Sequence, residues 1–188
     1  MEDSDITLVE RFQNGDVAAF ESLVLRYQNK VYDIIYHYTH DVEDAYDLSQ
    51  EVFERAFKSL GGFKRKSSFY TWLYRIAINA CIDYGRKRSR LQVFPVEDWS
   101  SLRDSLIAGS GNSPAETVLV QELSQQITRA IDQLPPKQRA VFIMKRLDGM
   151  SLEEIAQVLG RKVGTVKAHL SHATHKLMDL LDPYLQKH

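Results

Sequence analysis

The stretch LPPKQRAVFIMKRLDGMSLEEIAQVLGRKVGTVKAHL, residues 134–170, decides the fold, because it reads as short helices joined by tight turns. Pro135-Pro136 ends one helical pattern and starts another that carries Val141, Phe142 and Leu147. Asp148-Gly149 makes a turn. Ser151-Leu152-Glu153-Glu154 is a capping box, in which hydroxyl and carboxylate satisfy backbone amides at the start of a helix. That helix packs through Leu152, Ile155, Ala156 and Leu159, and Gly160 supplies the left-handed conformation that ends it. Val163, Val166, Leu170, Ala173 and Leu177 then mark the buried side of a longer helix. Two helices joined by a glycine-containing turn form the helix-turn-helix pattern. Its second helix lies in a major groove and offers its outward residues to DNA. Here those are Thr165, Lys167, Ala168, His169, Ser171, His172 and Lys176. A helical hairpin with no DNA role is the plain alternative; the small-residue turn and local positive charge argue against it.

Upstream of this stretch the reading is also helical. Ser113-Pro114-Ala115-Glu116 is another capping box, and Leu119, Leu123, Ile127, Ile131 and Leu134 follow as one stripe. Residues 91–113, with the run SLIAGSGNS, have the composition of a flexible linker. Before them, a short helix spans about residues 5–13. Asp16 caps a longer one carrying Phe20, Leu23, Val24, Tyr27, Val31, Ile34, Ile35 and Tyr38. A third carries Ala45, Leu48, Val52, Phe53, Ala56 and Phe57 and stops at Gly61-Gly62; a fourth carries Phe69, Trp72, Leu73, Ile76 and Ala80. No period-2 strand is expected. The fold class is all-α, with two small helical domains, 1–90 and 114–188, on either side of the linker 91–113.

A net charge of −1 over 188 residues conceals a partition. Residues 1–60 carry 5 Lys/Arg against 13 Asp/Glu, whereas residues 61–90 carry 8 against 1. Residues 91–136 carry 2 against 6, and residues 137–188 carry 9 against 5. Two basic zones, each beside a motif, suit two contacts with a polyanion. One cysteine, Cys81, excludes an internal disulfide framework and a cysteine-only zinc site, and fits a cytoplasmic chain. The acidic N-terminus is not expected to be a signal peptide, and no stretch has the ~18 apolar residues of a membrane span.

The first basic zone, FKRKSSFYTWLYRIAINACIDYGRKRSR, interleaves cations with rings. Lys64, Arg65, Lys66, Arg86, Lys87, Arg88 and Arg90 can neutralise phosphates. Aromatic faces can stack unpaired bases. The combination suits single-stranded DNA better than duplex. Phe69, Trp72 and Ile76 share a face and read as core, whereas Tyr70, Tyr74 and Asn79 lie off that stripe and are candidates for contact.

Together these residues resemble a known family. DLSQEVFERAFKSLGGF with SSFYTWLYRIAINACIDYGRKR is similar to regions 2.2 to 2.4 of the extracytoplasmic-function (ECF) sigma factors, and residues 134–170 are similar to their region 4. The resemblance implies a transcription initiation factor with no catalytic chemistry and no cofactor. It implies that Asp44, Asp47, Gln50 and Glu51 dock on the β′ clamp helices of core RNA polymerase. Lys64, Arg65, Tyr70, Trp72, Arg75, Asn79, Arg86, Lys87 and Arg88 would serve the −10 element, with Asn79 near a flipped base and the 61–68 loop in its pocket. The helix-turn-helix would serve the −35 element beside the β flap. An anti-sigma factor, often membrane-anchored, is an implied partner. Family members commonly carry proline where Lys162 stands and arginine where His169 and His172 stand. Arginine makes two hydrogen bonds to guanine and neutral histidine cannot, so the −35 preference should differ.

Two other readings compete. TVKAHL, residues 165–170, is equally at home in two-component or quorum-sensing regulators, but that class leaves residues 47–90 unexplained. Metal chemistry would have to use His37 and His40, or His169, His172 and His175. At three-residue spacing on a helix the outer two of a triple diverge by about 120°, so no metal site is expected.

Overall fold

In a computed structural model, which describes residues 3–91 and 114–185, eight helices and no strand make up the described residues. They are α1 (Asp5–Gln13), α2 (Val17–Thr39), α3 (Val42–Leu60), α4 (Phe69–Leu91), α5 (Pro114–Asp132), α6 (Pro136–Arg146), α7 (Leu152–Leu159) and α8 (Val163–Leu185). The expected linker and Ser113 lie outside the described residues.

Local chemistry accounts for the boundaries. Asp16 caps α2 by accepting from the Ala18 amide, and Asp41 caps α3 by accepting from Asp44. Ser68 accepts from the Thr71 amide at the start of α4, 3.1 Å. Both halves of the Ser151–Glu154 capping box form, and they hold the Glu154 carboxyl below its ordinary pKa. Gly160 ends α7 at φ 60°, a left-handed conformation in which a Cβ would be strained. Residue 40 ends α2 in the same region although it is a histidine, at φ 54°.

Helices α1–α4 form one bundle around Leu23, Val31, Ile35, Val52, Leu60 and Leu73. Helices α6, α7 and α8 form the second unit, and α5 joins α8 through Ala130, Ile131, Leu134, Ala173 and Leu177. Leu123 departs from the stripe expected of it and is 40% exposed. The larger core is continuous across the two units: Tyr38, Ala77, Ile78 and Cys81 belong to one buried cluster with Val141, Met144, Ile155 and Val158. Gly85 permits the approach of α4. A Cβ there would lie 2.8 Å from the Tyr38 hydroxyl and 3.5 Å from Pro136 Cβ. The Cys81 thiol is buried, which pushes its pKa up to about 12.

Buried His40 makes stability depend on pH. Burial first, then the charges of Arg139 and His37, push its pKa well below the ordinary value. The unfolded chain therefore binds a proton near pH ~6.5 that the folded chain refuses. Stability is full above that pH and should fall on acidification by up to about 1.4 kcal/mol per unit from this group. Urea melts at pH 7.5, 6.5 and 5.5 should show the slope, and His40→Asn, which tolerates the left-handed backbone, should flatten it. Equal slopes for the two proteins would count against this account.

Candidate nucleic-acid interface

The second helix of the helix-turn-helix is α8. Its apolar side is anchored by Val166, Ala173 and Leu177, which are buried. That fixes the outward side: Thr165, Lys167, Ala168, Ser171, His172 and Lys176 are all exposed, and His169 is half-buried. All seven fall within an arc of about 200° at 3.6 residues per turn, running from Lys167 through Ser171 and Ala168 to His169, with Val166, Ala173 and Leu177 on the opposite side. Burial first, then the charges of Lys137, His172 and Arg161, lower the pKa of His169. His175 instead turns along its own helix, with Nδ1 2.8 Å from the Ser171 carbonyl.

On α4 the aromatic residues divide. Phe69 is buried, and Trp72 is partly buried with its ring 5.0 Å from Phe63 and 5.7 Å from Phe69. Tyr70 is 37% exposed, stacked 5.8 Å from Tyr27, with the Lys30 ammonium 5.7 Å from its ring centre. Tyr74 corrects the expectation of an outward residue. It is buried, its hydroxyl donates to Asp148, and burial together with that carboxylate raises its pKa. The reason is tertiary: the turn between α6 and α7 covers that side of α4.

The remaining candidates in this zone are mostly accessible. Lys64, Arg65, Asn79, Arg86 and Lys87 are exposed. Arg65 pairs with Glu10, and Arg86 lies 3.1 Å from Asp83. Arg88 is held by the Tyr84 hydroxyl and by Asp44 at 3.4 Å. Arg75 is half-buried; its guanidinium donates to the Val158 carbonyl at 2.8 Å and to the Gln157 carbonyl.

The acidic candidates lie on α3. Asp47 and Gln50 are exposed, and Glu51 pairs with Arg55 one turn away at 2.5 Å. Asp44 points to α4, where it accepts from the Tyr84 hydroxyl. Beside this face runs a groove of about 590 Å³ between α2 and α3, lined by Tyr32, Tyr46, Gln50, Phe53 and Phe57 among others. Sequence reading missed the groove. Phe57 falls on the apolar spacing of α3 yet is 43% exposed, and Tyr46 beside the groove is 61% exposed. Among the described residues, no group of three or more His, Cys, Asp or Glu could hold a metal ion. None of the described helices is long and apolar enough to cross a membrane.

Comparison with known proteins follows the same division. Residues 23–91 match the family described as Sigma-70 region 2, and residues 124–177 match Sigma-70, region 4. The chain is 36% identical over 190 residues to the RNA polymerase sigma-H factor of Pseudomonas aeruginosa, covering 99% of this chain and 98% of that one. It is 36% identical over 188 residues to the ECF RNA polymerase sigma-E factor of Escherichia coli K12, covering 98% and 97%. Among solved structures, CnrH in complex with the cytosolic domain of CnrY superposes with a TM-score of 0.62 at 24% identity, covering 96% and 99%. The Bartonella quintana sigma factor RpoE in complex with the anti-sigma factor NepR gives 0.58 at 23%, covering 88% and 98%. The region 2 match accounts for the half that a two-component regulator would leave unexplained. Sigma factors are initiation factors rather than enzymes. The chain belongs to the sigma-70 family of RNA polymerase sigma factors, in its extracytoplasmic-function group, and directs core polymerase to specific promoters.

Proposed function

We propose a division of labour among three surfaces. The acidic face of α3, through Asp47, Gln50 and Glu51, meets the β′ clamp helices, with Asp44 supporting it from the α3–α4 contact. A negative face favours a basic partner and disfavours wrong ones, DNA included. Helix α4 and the preceding loop handle the −10 element: Lys64, Arg65, Arg86, Lys87 and Arg88 follow phosphates, while Tyr70 and Asn79 face unpaired bases. Trp72 supports the loop through Phe63, and Arg75 joins these residues once its present carbonyl partners release it. Helix α8 takes the −35 element beside the β flap. The observation that carries this reading is the single exposed arc of α8 with its opposite side locked in the core.

The division 1–90, 91–113 and 114–188 follows from it, as does action in the cytoplasm, where polymerase works. An anti-sigma factor is a further partner, since a sigma factor of the same fold has been co-crystallised with the anti-sigma factor NepR. The α2–α3 groove gives it an apolar seat overlapping the polymerase face. Run-off transcription from a promoter library is the test. Core polymerase with this protein should yield discrete start sites sharing −10 and −35 sequences. Start sites no different from core alone would overturn the reading.

A further inference from the structure

The 61–68 loop has little of its own to hold its shape. Gly61 and Gly62 open it and contribute no side chains, and a Cβ at Gly61 would meet nothing within 4 Å. Phe63 anchors the loop on the α4 side, with its ring 5.0 Å from that of Trp72. On the other side, between the loop and α1, lies a cavity of about 440 Å³, lined by Ser4, Asp5, Val9, Arg65, Ser67 and Phe69 among others. Packing cannot fix the loop across such a space, because its lining has no partner atoms there. Arg65 adds a cost: its backbone is left-handed at φ 56°, a conformation that a residue with a Cβ rarely adopts.

Polar ties to α1 supply what packing does not. The side-chain nitrogen of Gln13, the last residue of α1, donates to the Leu60 carbonyl and to the Phe63 carbonyl, each at 3.1 Å. A carbonyl can only accept, so these partners fix the orientation of the amide and occupy both of its N–H groups. The two acceptors stand on either side of the glycine pair, so one half-buried side chain closes the turn. Glu10, one turn earlier on α1, pairs with Arg65 further along the loop. That pair is exposed and contributes little alone. Helix α1 is itself fixed to the bundle: Leu8 and Val9 are buried, and Asp5 takes Arg26 at 2.6 Å and the Tyr27 hydroxyl. The loop is thereby held in register with the bundle through α1.

Resting on the assignment of the loop and α4 to the −10 element, we propose that Gln13 is a positioning residue for −10 recognition: its two bonds across Gly61-Gly62, with Glu10 guiding Arg65, preset the 61–68 loop against α4 before any base arrives. Gln13 acts through the loop and not on DNA. A preset loop needs no further ordering when it meets a base, so the difference between a right and a wrong base is expressed in full. A loose loop can settle around either one, and discrimination falls.

The test uses holoenzyme assembled from the full chain, on promoters that the wild-type protein initiates from, substituted one base at a time in both elements. Gln13→Met keeps the length and helix preference of the side chain and removes both donors. It should lower discrimination at the −10 positions served by the loop by about five- to tenfold, the scale of one or two lost hydrogen bonds. Discrimination at −35 and affinity for core should not change. Glu10→Gln, which weakens only the exposed pair, should affect the same positions by less. Adding Gly61→Ala to Gln13→Met should restore part of the loss. Gly61 is right-handed at φ −56° with open space around it, so alanine stiffens the turn without strain. A residue that touched the base itself would not be rescued in this way. Three results would overturn the role of Gln13: −10 discrimination unchanged by Gln13→Met, a loss that Gly61→Ala leaves untouched, or a uniform fall in initiation on every promoter with discrimination intact. Tyr70→Ala and Asn79→Ala serve as controls; −10 discrimination that neither alters would instead sink the assignment on which the proposal rests.

Discussion

Arg139→Met should destabilise the protein by about 3–5 kcal/mol, the loss expected when one partner of a buried ion pair is removed. Arg139 lies 2.5 Å from Asp132, with side chains only 10% and 20% exposed. The guanidinium also sits 4.6 Å from the Tyr38 ring centre and donates to the Tyr38 carbonyl. Methionine would strand three dependents at once. Burial already raises the Asp132 pKa, with the Arg139 charge as the chief opposing influence. Without that cation the carboxyl should protonate on folding. For a chain of this size the melting temperature should fall by roughly 6–20 °C. Replacing the pair together, Arg139→Met with Asp132→Leu, should recover much of the loss, since an apolar substitute of similar volume carries no desolvation cost. A single-variant loss below about 1 kcal/mol in urea melts would show that the pair is not the anchor of α6.

The second large effect concerns polymerase. Asp47→Lys combined with Glu51→Lys should weaken binding to core by about 10–100-fold, equivalent to about 1.4–2.8 kcal/mol. Both residues sit on a helical face whose charge would otherwise attract a basic partner. The reversal turns two attractions into repulsions, which costs more than simple removal. The fold should survive. Asp47 is exposed, and the Glu51–Arg55 pair is a half-exposed one-turn pair of a kind that contributes little. A fluorescence titration with core polymerase, run at two salt concentrations, reads the effect; the deficit should shrink as salt rises. Unchanged affinity with intact circular dichroism would refute the assignment of α3 to the polymerase.

What the sequence made legible was local. Asp16, Ser151, Gly160 and Pro136 act within four residues of themselves, so their capping and breaking roles could be read directly. The exposed arc of α8 was likewise legible, because helical spacing alone opposes Ala168 and Ser171 to Val166 and Leu177. Spacing does not say what covers a given side. Tyr74 lies off the stripe of Phe69 and Trp72, yet it is buried because Asp148, 74 positions later, arrives on top of it. Arg75 was read as a contact for DNA, and its carbonyl partners lie 82 and 83 positions away. On α3 the error ran the other way. Phe57 fits the core period but stands at the rim of a groove, since α2 covers only part of that face.

Four of the hydrogen bonds between the two units end on main-chain carbonyls: those of Val158, Gln157, Pro136 and Tyr38. Every residue type supplies the same carbonyl. Evolutionary drift at the exposed position 157 would therefore leave the acceptor in place so long as the helix keeps its path, and for these bonds only the donors Arg75, Tyr38 and Arg139 would be constrained in identity. In an alignment of relatives these four bonds should accordingly leave a one-sided trace, with constrained donors and no paired substitutions at their acceptors, whereas the Tyr74–Asp148 contact, side chain to side chain, is where paired change should show.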